Sequence, residues 1–93
     1  MPKSKAIVET EHASRYLQQL CKHWSHKFAV EFTPEKGRID LGEGRVTDLS
    51  AEAKTLTVEV EASDLKHMEQ VVEEHIVRFA FRETLSFDWK PID

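Results

Sequence analysis

Apolar and polar positions repeat along this chain with two periods. Residues 5–10 hold the β-forming run Ala6-Ile7-Val8, which predicts a short strand. Thr10 then offers a hydroxyl where a helix could start. From Ala13 the apolar residues fall at Ala13, Tyr16, Leu17, Leu20, Cys21 and Trp24, the three-and-four spacing of an amphipathic helix. Its other face carries Arg15, Gln18, Gln19, Lys22, His23 and His26. Period two follows: Phe28, Val30 and Phe32 alternate with Ala29 and Glu31, a half-buried strand. Residues 33–37 read as a hairpin turn in which Pro34 presets one backbone angle and Gly37 tolerates a positive one. Residues 38–41 resume the alternation, Gly42-Glu43-Gly44 turns again, and residues 45–49 form a further strand. After a polar loop at 50–54, residues 55–62 give the clearest strand, with Leu56, Val58, Val60 and Ala62 on one side. Ser63 or Asp64 caps a second helix, whose apolar positions are Leu65, Met68, Val71, Val72, Ile76 and Phe79 and whose end falls near Arg82. Phe81 is placed under the turn to a last strand, in which Leu85, Phe87 and Trp89 alternate with Ser86 and Asp88, and the tail from Pro91 is expected to fray.

The order is β-α-β-β-β-β-α-β. Short turns make the central strands an antiparallel meander with one apolar face. Each helix has one apolar stripe, so both stack on that face: an α+β two-layer sandwich. The outer face is expected to show Glu31, Arg38, Asp40, Arg45, Thr47, Thr55, Thr57, Glu59, Glu61, Ser86 and Asp88, without the stacking aromatics of an RNA-binding sheet. A length of 93 residues fits a single domain, 1–93, with an ordered core of about 5–90.

Composition narrows the function classes. A formal net charge of −4 argues against binding a nucleic-acid backbone, which needs clustered positive charge. The one cysteine rules out an intrachain disulfide and agrees with a reducing compartment. No stretch has the apolar core of a secretion signal or the ~18 residues of a membrane span, so a cytoplasmic, membrane-free protein is expected.

The first helix holds the candidate chemistry. Arg15, Lys22, His23, His26 and Lys27 make a local positive patch suited to a carboxylate, a phosphate or another anionic group. The competing reading pairs these cations with neighbouring glutamates. His23 and His26, three apart, share a helix face and could hold one divalent metal if His12, Glu11 or His75 came close. Otherwise they are ordinary solvated histidines. Cys21 lies on the apolar stripe and reads as a core residue before it reads as a nucleophile. His75, beside the buried stripe of the second helix, reads as a hydrogen-bonded boundary residue. An enzyme using His23 or His26 with Cys21 or Lys22 is an alternative, as is a homodimer built on the bare sheet face or an edge strand.

The run at 13–27, Ala-Ser-Arg-Tyr-Leu-Gln-Gln-Leu-Cys-Lys-His-Trp-Ser-His-Lys, resembles the signature of DUF2218, a bacterial family of small uncharacterised proteins. Gly37-Arg38-Ile39 and the run at 78–83, Arg-Phe-Ala-Phe-Arg-Glu, resemble it too, and Trp24 stands where the family carries phenylalanine. The resemblance implies a setting near siderophore-interacting or iron-uptake proteins. A dihydroxyheptenedioate aldolase activity, ascribed to some members, requires a metal-dependent (β/α)₈ barrel of ~250 residues, which this chain is too short to form. The leading expectation is a non-enzymatic accessory module that holds an anionic small molecule or a siderophore-related partner through the first helix.

Overall fold

A computed structural model describes residues 2–80 and 82–92. The elements are β1 (Lys3–Glu9), α1 (Ala13–Trp24), β2 (Ala29–Phe32), β3 (Lys36–Gly42), β4 (Arg45–Ala51), β5 (Thr55–Glu61), α2 (Leu65–Phe79) and β6 (Lys90–Ile92). The strands form one antiparallel sheet in the order β2-β3-β4-β5-β1-β6. Both helices cover the same face, α1 over β2 to β5 and α2 over β5 and β1. The expected two-layer sandwich is the fold.

Period dictates burial. All six apolar stripe positions of α1 are buried, and Met68, Val72 and Ile76 are the buried row of α2. They close on Ala6, Val8, Ile39, Leu49, Leu56, Val58 and Val60 from the sheet. Asp64 caps α2 by accepting from the His67 amide at 3.2 Å. Thr10 does not cap α1 in that way; its hydroxyl accepts from the His12 amide at 3.0 Å, one residue outside the helix.

Four local expectations are corrected. Gly37 lies inside β3, facing the core, and not in the preceding turn. That turn is closed by Thr33, whose hydroxyl accepts from the amides of Glu35 and Lys36. Thr47 is fully buried, because its register partner is the inward-facing Val60. Arg45, two residues earlier on the same side of β4, also faces the helix layer. Residues 85–89 are not a strand. Leu85, Phe87 and Trp89 pack on the core while Trp89 Nε1 donates to Glu73 of α2, so the segment follows the helix and forms no ladder. The ladder forms afterwards, so the tail expected to fray from Pro91 is paired instead: Lys90, Pro91 and Ile92 pair with Lys5, Ser4 and Lys3. Pro91 is tolerated because β6 is an edge strand. Phe81 lies outside the described residues.

Candidate functional site

The helices run antiparallel: Tyr16 near the start of α1 meets Glu83 beyond the end of α2, and Trp24 at the end of α1 meets His75. A hollow opens at each end of this seam.

The larger, about 840 Å³, lies at the start of α1. Its polar centre is Glu83, which accepts hydrogen bonds at Oε2 from Tyr16 Oη and from Thr10 Oγ1, the latter at 3.1 Å. Burial, and then the adjoining carboxylate, push the Tyr16 hydroxyl up to about 12. Tyr16 therefore keeps its proton and positions Glu83 as a hydrogen-bond donor. Arg15, Lys54 and Arg82 bring positive charge to the walls, and Glu9 and Glu11 bring negative charge. The segments 13–17 and 78–83 thus meet in three dimensions at Tyr16 and Glu83.

The smaller hollow, about 350 Å³, lies at the other end of α1. His23 and Trp24 come from the last turn of α1; His26, expected on the same helix face as His23, instead lies with Lys27 and Phe28 in the turn that follows, because the helix ends at Trp24, and Leu41 and Arg45 come from β3 and β4. His67, Met68, Val71 and His75 come from α2. Four of the five histidines in the chain thus line one hollow. The rings pack in sequence: Trp24 lies 5.0 Å from His75, His75 lies 5.3 Å from His23, and Phe28 stands edge-on to Trp24 at 6.2 Å. His75 Nδ1 donates to Val71 O at 2.7 Å, as a boundary histidine should. Arg45 is held by donating from Nε to Gly42 O at 3.1 Å and from Nη2 to Leu41 O at 2.8 Å. Among the described residues no carboxylate lines this hollow, and none of Arg15, Lys22, Lys27 or Arg45 forms an ion pair.

The basic positions singled out in the sequence are therefore divided. His23, His26 and Lys27 share the smaller hollow, Arg15 lies in the larger cleft, and Lys22 is exposed on the last turn of α1 and lines neither. His12 lies in the larger cleft, eleven residues before His23 and so about 16 Å along the helix. The three are not brought together, and among the described residues no group of three or more metal-ligating side chains is assembled. Cys21 is fully buried, and burial pushes its thiol up to about 11, which keeps it protonated. Sequence reasoning missed Glu83, Thr10, Arg45 and His67. Glu83 is 67 residues from Tyr16, and no local pattern links them. His67 was legible: with Val71 and His75 it repeats every four residues, one stripe of a helix.

The family model for an uncharacterised protein conserved in bacteria, DUF2218, matches residues 5–90. The NMR structure of PA4090 from Pseudomonas aeruginosa superposes with a TM-score of 0.81 and 42% identity, over 97% of this chain and 96% of that one. No curated protein matches. No helix among the described residues is long and apolar enough to cross a membrane.

Proposed function

The chain belongs to the DUF2218 family of bacterial proteins, and from that premise we propose that it is a small accessory module that binds an anionic ligand at the end of α1. One observation carries this reading: four histidines, Lys27 and Arg45 converge on a hollow whose described lining has no acidic side chain. Uncompensated cations are costly to hold together unless water or an anion faces them. Arg45 is fixed by two backbone carbonyls before any ligand arrives, which lowers the cost of ordering it on binding. Imidazoles add N–H donors when neutral and positive charge when protonated. Anionic siderophore groups, or an acidic segment of a partner from iron handling, are ligands of this chemistry.

The reading is tested by titrating ¹⁵N-labelled protein with ferric siderophores, inorganic phosphate and zinc. Amide shifts confined to residues 23–28, Arg45 and 67–75 on adding the anions support it. Amides of residues 12–27 that stay still with every anion, or that respond to zinc alone, contradict it.

A further inference from the structure

The smaller hollow has two unlike parts. Its floor is apolar: Trp24, Leu41 and Met68 are 4–5% exposed, and half-buried Phe28 and Val71 extend them. Its rim is basic: His23, His26, Lys27 and His67 are exposed, and Arg45 stands half-buried at the start of β4.

We propose that the ligand class of this site is a compact carboxylate with an apolar body, such as an arene carboxylate. The inference rests on the anion-binding reading above and narrows it. A small hydrated anion such as phosphate gains from the rim, but it would have to shed water against thioether, indole and isobutyl groups that offer it nothing in return. A neutral apolar molecule gains from the floor, but it would remove water from Lys27 and Arg45 without replacing it. Only a ligand with both parts satisfies both. The body covers Phe28 and Val71, the half-buried part of the floor, where loss of apolar surface from water favours binding. The carboxylate reaches Arg45, whose planar guanidinium suits it, and Lys27. The volume of about 350 Å³ lies near the lower end of the roughly 300–1,000 Å³ of small-molecule sites, which selects one ring or a short chain. The larger cleft differs in kind, since Glu9, Glu11 and Glu83 offset its cations.

Calorimetric titration of the full chain with benzoate, acetate and benzyl alcohol at one pH and ionic strength separates the parts. Benzoate is expected to bind at least tenfold tighter than either of the others, and Lys27→Ala or Arg45→Ala to weaken it several-fold. Lys27 is exposed, so its variant remains informative if Arg45→Ala disturbs the β3–β4 turn. Equal affinity for benzoate and acetate, with the same sensitivity to Lys27→Ala, would leave the anion site standing and overturn the ligand class. Benzyl alcohol binding as tightly as benzoate, or no binding by any of the three, overturns the ligand class; if phosphate and ferric siderophores also fail to bind, the anion-binding reading falls with it.

Discussion

Gly37 and Cys21 face each other so closely that a Cβ on Gly37 would stand 2.7 Å from Cys21 Sγ and 3.3 Å from Leu17 Cδ2. This approach seats α1 on β3, and it explains a glycine in a strand where no positive backbone angle demands one. Gly37→Ala is expected to destabilise the fold by about 1–3 kcal/mol through overpacking. Cys21→Ala alone should cost about 1 kcal/mol for the lost burial. The double variant should recover much of the Gly37→Ala loss, because each change relieves the other. Urea denaturation of all four proteins checks this, and strictly additive losses would refute the contact.

Cys21 is the sole cysteine and is fully buried, so its thiol should react with a disulfide reagent only when the protein opens. The rate of modification under native conditions should therefore fall far below that in denaturant. A rapid native reaction would place the thiol at the surface.

Alkaline pH should weaken the fold in two overlapping windows. The unfolded chain releases the Cys21 proton near 9 and the Tyr16 proton near 10, whereas the folded chain holds them to about 11 and about 12. Folded values above unfolded ones mean that this stabilisation is complete below pH 9 and lost as pH rises through those ranges. Tyr16 is the only tyrosine, so tyrosinate absorbance reports it alone, and its midpoint should lie well above 10 while the protein stays folded. Cys21→Ala should remove the earlier window and leave the later one.

Tyr16 and Thr10 both donate to the same oxygen of Glu83. Tyr16→Phe is expected to cost about 1.5–3 kcal/mol, the range for a hydrogen bond to a charged group, and its effect should not add to that of Thr10→Val. Thermal melts of the single and double variants decide it.

Thr47 is fully buried, and its Oγ1 has no hydrogen-bond partner among the described residues. Thr47→Val keeps the branched shape and removes the unpaired hydroxyl, so stability should rise by about 1 kcal/mol with an unchanged denaturant slope. A loss of stability would mean that the hydroxyl has a partner.

The sequence made the buried stripe of α1 legible, because it is uninterrupted and burial follows the 3.6-residue period, but it carried the helix on to His26, beyond its end at Trp24. The strands were legible for the same reason, except where parity was ambiguous. In β4 both Val46 and Thr47 suit a strand, and only pairing with Val60 decides which turns inward. Leu85, Phe87 and Trp89 alternate like a strand because period two reports alternating burial, and burial against a helix satisfies it as well as a ladder does. Of the site, the basic half on α1 was visible, but its completion was not. His67 could be read onto one helix stripe with Val71 and His75, but that this stripe faces α1, and that Arg45 reaches the same hollow through the β3–β4 turn, are relations between distant segments.

The histidine side chains give the most direct test of the anion hollow. Imidazole ¹H–¹³C resonances of all five histidines can be followed while benzoate is added. His23, His26, His67 and His75 should move together with one dissociation constant, and His12, in the other cleft, should stay still. Movement of His12 in place of those four would contradict the account, as would stillness of all five with benzoate, phosphate and ferric siderophores alike.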